Sequence, residues 1–261
     1  MGSIEGLGIT RAGAAQIFRF ERPEKKNALK SEMYTAIREA LIAGDADPEV
    51  VAHMFIGSGG VFTAGNDINE FAKRAEGDTG LSSHVQAFIR HLPLVQKPMV
   101  AAVDGLAVGI GTTLLLHCDL VYATPSASLR TPFIDLALVP EAGSSLLAPL
   151  RLGHARAFEL LVLGEPMTAV KAEAAGLVNA VVAPDVLEAT ALAAIARLAA
   201  KPPAALALSR RMLRGDPSAV AQRIDDEIRI FTERLSSPEA REAFLAFFEK
   251  RKPDFSKFRQ P

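Results

Sequence analysis

Cysteine is almost absent. The 261-residue chain holds one, Cys118, so no disulfide can form within it, and its neighbours Leu114, Leu115 and Leu116 mark it as a buried, inert thiol rather than a nucleophile. An excess of charge of one sign is also missing. With 29 basic and 30 acidic residues, a net charge of -1 and no block of either sign, the chain lacks the basic face with which nucleic-acid and membrane-surface proteins engage phosphates. No apolar run approaches the roughly 20 residues that cross a bilayer. Residues 1 to 22 show no charged segment leading into a long apolar one, and neither a secretory signal nor a peroxisomal C-terminal tripeptide is evident. The expectation is a cytoplasmic protein with no nucleic-acid or membrane partner.

Several catalytic signatures are missing as well. Gly57-Ser58-Gly59-Gly60 is not followed by Gly-Lys-Ser/Thr, and no GxGxxG opens a helix with an acidic partner further on, so this segment reads as a tight turn rather than a phosphate loop. The five histidines, His53, His84, His91, His117 and His154, lack the spacing of metal ligands, and no metal is expected. Ser144 and Ser145 lack the glycine arrangement that exposes a nucleophilic serine, and they read as helix caps.

What is present is an α/β pattern. Ala15 to Phe20 alternates like a strand, and the proline-containing turn at residues 22–27 ends it. Ser31 then reads as the cap of a helix carrying Met33, Ile37 and Leu41 on one face. Val50 to Ile56, Met99 to Val103, Leu120 to Ala123 and Leu177 to Val182 are short apolar runs. The helical segments between strands predict crossover units and a mostly parallel sheet. After Ala183-Pro184 the chain turns helical, with candidates at Leu187 to Leu198, Ala204 to Leu213, Ala219 to Leu235 and Pro238 to Lys250. The stripe Ile224, Ile228, Phe231 and Leu235 packs either in the core or against a partner subunit. Residues 1–200 are expected as the core with the ligand site and 201–261 as a C-terminal helical region. No internal repeat or low-complexity segment is present.

Two loops share one design. Small residues from Gly60 through Thr63, Ala64, Gly65, Asn66 and Asp67 let the backbone approach a ligand. From Asp104-Gly105 to Gly109-Ile110-Gly111 a strand feeds a glycine-rich turn that opens a helix, whose first amides are unsatisfied and partly positive. Together the loops can place two donors around one oxygen, as an enolate requires.

At these residues the sequence resembles the crotonase (enoyl-CoA hydratase/isomerase) superfamily. The segments at 22–29, 62–67, 101–109 and 118–123 are similar to its successive signatures, in order. The resemblance implies a crotonase-type ββα spiral with a C-terminal helical trimerisation region, assembled as a homotrimer or a dimer of trimers. It implies an acyl-CoA substrate, with coenzyme A entering as part of the thioester and no further cofactor. It also implies a CoA-binding surface formed by Lys25, Lys26, Ala28, Leu29, Ala64, Gly65, Asn66, Asp67, Ile68 and Gly109, and oxyanion donors at the amides of Asn66 and Ile110.

Within the superfamily, hydratases use two glutamates. This chain has Thr113 and Phe133 at the corresponding positions, which with Leu138 are expected in the acyl pocket. A carboxylate stands instead at Glu141, in a Pro-Glu setting similar to that of the peroxisomal-type Δ3,Δ2-enoyl-CoA isomerases. The resemblance therefore implies Glu141 as the catalytic base, walled by Phe133, Ile134, Leu138 and Val139, moving a 3-enoyl-CoA double bond to the 2-trans position. A hydratase, another reaction of the superfamily and a catalytically idle acyl-CoA-binding fold remain the alternatives.

Overall fold

The computed structural model describes residues 4–67 and 82–259. Its main sheet has six strands in the order β1-β2-β3-β4-β6-β9. These are β1 (Leu7–Ala12), β2 (Ala15–Phe20), β3 (Ala52–Gly57), β4 (Met99–Val103), β6 (Leu120–Ala123) and β9 (Ala180–Val181). Only β1 and β2 pair antiparallel; the remaining neighbours are parallel. A small second sheet joins β5 (Leu106–Val108), β7 (Ser128–Arg130) and β8 (Met167–Thr168).

A parallel sheet covered on both faces needs strands that are apolar on both sides, and β4, Met-Val-Ala-Ala-Val, is buried throughout. Phe18, Phe20, Phe55, Ala101, Val103 and Val121 face the main core. Ile17, Met54, Ile56, Val100 and Ala102 face the other side, where Leu187, Ala191 and Ile195 of a C-terminal helix cover them.

Helix α1 (Ser31–Ala46) puts Met33, Ile37 and Leu41 into the main core as their spacing predicts. Ser31 is the first residue of the helix rather than its cap. The expected strand at Leu177 to Val182 shrinks to Ala180–Val181. Leu177 and Val178 are apolar for another reason: both amides bond back to Ala172 O at the end of the preceding helix, and both side chains are buried there. Strands β1, β5, β7 and β8 went unread, being short or largely exposed.

The remaining α-helices among the described residues are α2 (Ser83–His91), α3 (Ile110–Thr113), α4 (Ser144–Leu152), α5 (His154–Leu161), α6 (Ala169–Ala174), α7 (Leu187–Ala199), α8 (Pro203–Arg214), α9 (Ser218–Leu235) and α10 (Pro238–Phe248). Arg210 ties α8 to the sheet, donating to Asp119 at 2.9 Å and to the Val95 and Gln96 carbonyls. The stripe Ile224, Ile228, Phe231 and Leu235 on α9 is buried in the chain's own core. No single helix among the described residues is long and apolar enough to cross a membrane.

Candidate active site

The site begins with a knot at residues 22–28. Asn27 takes a left-handed conformation, φ 55°, which asparagine tolerates better than most residues. Its side chain is fully satisfied: Oδ1 accepts from Arg22 N at 2.8 Å, and Nδ2 donates to the carbonyls of Ser58 and Val61. The Gly57–Gly60 turn is thus a clasp for this knot. Thr63 Oγ1 donates to Asn27 O at 2.6 Å and Ala64 N to Lys26 O at 2.9 Å, laying the 63–67 segment beside it. Asp67 accepts from Arg22 at 3.4 Å, closing the same knot with an ion pair.

This placement aims the first amide. Leu29 N donates to Gly65 O and Asp67 N donates to Leu29 O, so the groups flanking Asn66 both face Leu29. Alternation along an extended chain turns the N–H of Asn66 the opposite way, toward β5. Gly65 lies so close to that strand that a Cβ there would stand 2.7 Å from Val108 O. The Asn66 side chain accepts a hydrogen bond from the Tyr34 hydroxyl.

The second amide comes from the turn after β5. Gly109 has φ 57° and ψ -120°, a conformation that L side chains avoid. It caps α3, whose first residue is Ile110. At a helix start that N–H has no intrahelical partner. Neither the Asn66 nor the Ile110 amide makes a hydrogen bond among the described residues.

Both loops line one cavity of about 690 Å³. Lys25, Ala28, Ala64, Gly65, Asn66 and Asp67 form one wall, and Gly109, Ile110, Phe133, Leu138 and Glu141 face it. Three expected members stand off the wall. Leu29 is packed in the core, Lys26 spends its backbone on the knot, and Thr113 lies behind Glu141 as its hydrogen-bond donor. Ile134 and Val139 also do not line the cavity, and Ile134 is exposed. Ile68 lies outside the described residues.

Glu141 is 4% exposed. Thr113 Oγ1 donates to its Oε1 at 2.6 Å, whereas Oε2 has no partner among the described residues. Burial pushes its carboxyl up to about 8; the Thr113 hydrogen bond opposes that shift and nearby Glu227 adds to it. Ala142 and Gly143 follow in left-handed conformations, a sharp turn into α4. His117 steadies the turn, its ring Nε2 lying 2.7 Å from Ala142 O. Burial drives the His117 pKa down to about 3, so the ring is neutral and carries its proton on Nε2, toward that carbonyl.

Two other carboxylates line the cavity, and each is paired: Asp67 with Arg22, and Asp135 with Arg130 at 3.1 Å. Cys118 is fully buried, with its thiol raised to about 12 by desolvation.

Sequence reasoning missed the far end of the cavity. Phe231, Ala243, Phe244 and Phe247 of α9 and α10 line it, so the C-terminal helices close that end of the cavity within the same chain. It also missed Glu227, whose carboxylate accepts from the Gly143 and Ser145 amides and the Ser145 hydroxyl. The cap of α4 is therefore this distant acid, and neither Ser144 nor Ser145 supplies a side-chain cap. The available signal was an acid at the inward spacing of the stripe Ile224, Ile228 and Phe231.

A parallel-sheet spiral with two opposed amide loops and a buried carboxylate without an arginine partner in the cavity between them defines a crotonase-type protein. The enoyl-CoA hydratase/isomerase family model matches residues 10–258. A probable enoyl-CoA hydratase of Rhizobium meliloti is 34% identical, covering 97% of this chain and 98% of that protein. Enoyl-CoA delta isomerase 2 of Rattus norvegicus is 33% identical over 95% of this chain and 64% of that longer protein. Among solved structures, an enoyl-CoA hydratase/isomerase from Pseudoalteromonas atlantica superposes with a TM-score of 0.90 at 38% identity, covering 96% of this chain and 100% of that one. The chain belongs to the enoyl-CoA hydratase/isomerase family.

Proposed function

We propose that the protein is a Δ3,Δ2-enoyl-CoA isomerase that converts a 3-enoyl-CoA to the 2-trans-enoyl-CoA with Glu141 as its only acid–base group. One observation carries the reading. Of the carboxylates lining the cavity among the described residues, Glu141 alone has no arginine partner, and the two positions where hydratases of the superfamily hold glutamates are Thr113 and Phe133.

Glu141 removes a proton from C2, beside the thioester. The electron pair moves into a dienolate whose charge sits on the thioester oxygen, between the Asn66 and Ile110 amides. The same carboxyl returns the proton at C4, leaving the double bond between C2 and C3. Coenzyme A runs along Lys25, Ala28 and the 64–66 segment, and the acyl chain extends toward Phe133, Leu138 and the C-terminal phenylalanines. Apolar walls exclude the water that a hydratase must admit. Assembly as a homotrimer or a dimer of trimers belongs to the same proposal.

Purified protein is expected to convert a 3-enoyl-CoA to the conjugated thioester far faster than it hydrates crotonyl-CoA. Because the base must be ionised to accept the proton, kcat/KM is expected to rise with pH and level off above about 8. Hydration outrunning isomerisation would instead favour a hydratase, the reaction named for the Rhizobium relative. Neither reaction occurring would favour an idle acyl-CoA-binding fold.

A further inference from the structure

The C-terminal half supplies a second buried carboxylate that the proton shuttle leaves unused. Glu227 on α9 is 5% exposed. Its Oε2 accepts from Gly143 N at 2.6 Å, and its Oε1 accepts from Ser145 N at 3.0 Å and Ser145 Oγ at 2.5 Å. Gly143 and Ser145 stand two and four residues after Glu141, on the turn that leads from the catalytic residue into α4. Gly143 leaves little slack there, since a Cβ would stand 3.0 Å from Val220 Cγ1 of the same α9.

We infer that Glu227 is a positioning residue for this site: it grips the turn behind Glu141 and holds the catalytic carboxylate against Thr113. The inference rests on the reading of Glu141 as the base. Burial raises the Glu227 carboxyl; the hydrogen bonds from Ser145 and Gly143, the Arg223 charge and the N-terminus of α4 oppose that shift by favouring the ionised form. An anion beside a second buried carboxyl disfavours ionisation of that carboxyl.

Arg214 of α8 and Arg151 of α4 face the segment after α3, donating to the His117 and Cys118 carbonyls at 3.1 and 3.0 Å. Arg223 reaches Ser145 Oγ at 3.3 Å from an exposed position. Asp225, on the same helix, is exposed and paired with Arg90 of α2, and Asp226 is exposed. From the segment after α3 the facing group is His117, which is neutral, and from α3 it is the Thr113 hydroxyl. Glu227 thus connects α9, which also sends Phe231 into the cavity, to the reacting group.

The test is the titration of Glu141 itself, followed through its carboxyl stretch by infrared difference spectroscopy and assigned with Glu141→Gln. Glu227→Gln keeps the volume and an acceptor oxygen but removes the charge. It is expected to shift the Glu141 titration down by about one pH unit and to lower kcat by roughly 10-fold with KM little changed. Glu227→Asp, which restores the charge, is expected to titrate like the wild type, and thermal unfolding checks that both variants are folded. Glu141 titrating alike in the wild type and Glu227→Gln, with only stability reduced, would overturn the inference, as would a Glu227→Asp titration displaced as far as that of Glu227→Gln. The readout does not depend on turnover. A wild type without isomerase activity but with a shifted titration would defeat the functional reading and leave the positioning role standing.

Discussion

Replacing Glu141 by Gln is expected to cut isomerase kcat by roughly 10²- to 10⁴-fold, the range for removing a positioned acid–base group, while leaving the binding of CoA thioesters intact. Gln fills the same volume and can still accept the Thr113 hydrogen bond, so the loss is specific to proton transfer. The same substitution is expected to stabilise the protein at alkaline pH. The Glu141 carboxyl is raised from its ordinary 4.5 to about 8 in the folded state, so folding favours the protonated form. Its stability contribution is fully present below about pH 4.5 and is lost as pH rises through about 8. Above that, holding an ionised Glu141 in the core costs up to roughly 5 kcal/mol. Denaturant unfolding of wild type and Glu141→Gln at pH 9 and at pH 5 measures it; the variant is expected to gain at the higher pH and to show little difference at the lower. An inactive variant that is also less stable at pH 9 would mean that Glu141 is ionised and well solvated in the folded state.

The second large effect concerns a donor that carries no side-chain chemistry. Ile110 occupies the first position of α3, where proline is tolerated because the N–H is an orphan and a φ near -65° suits the helix start. Gly109, with φ 57° and ψ -120°, is the mirror image of a conformation allowed before proline, and as glycine it can keep that shape. Ile110→Pro therefore deletes the amide hydrogen while largely preserving the turn. It is expected to lower kcat by about 10²- to 10³-fold, the usual cost of one oxyanion donor. Loss of the buried Ile side chain adds about 1 kcal/mol of destabilisation. Substituting Ile110→Val, which keeps the amide and trims the side chain, separates the two: a Val variant as slow as the Pro variant would show that packing rather than the N–H is responsible.

The parts of the site built from backbone were the most legible. Glycines at 65 and 109 mark places where the chain must approach another strand or adopt a positive φ, and those needs are written in residue type. Glu141 was singled out by the resemblance, through Thr113 and Phe133 at the hydratase positions and its Pro-Glu setting; by residue type alone it reads as an acid at a helix start. The four C-terminal helices were legible from their spacing to within a few residues. What stayed hidden depended on distance in the chain. Nothing local links Glu227 to Gly143, 84 residues earlier, or brings Phe231, Phe244 and Phe247 to the far end of a pocket opened by residues 64–66. Thr113 showed a related limit: its helix was foreseen, but its hydroxyl turns toward Glu141 rather than lining the cavity, a choice made by the partner across the fold. Strand boundaries failed where apolar residues serve a helix end, as at Leu177 and Val178.

The central claim is that one carboxyl carries the proton from C2 to C4. The most direct measurement is the fate of deuterium when a 3-enoyl-CoA labelled at C2 is isomerised in ordinary water and the product is read by mass spectrometry and NMR. Glu141 is buried, with Oε2 bonded to no described residue, and apolar walls slow its exchange with solvent. The account expects a substantial fraction of product molecules to carry the label at C4. Product bearing only solvent hydrogen at C4, with Glu141→Gln still returning protons there, would contradict it and require a separate acid.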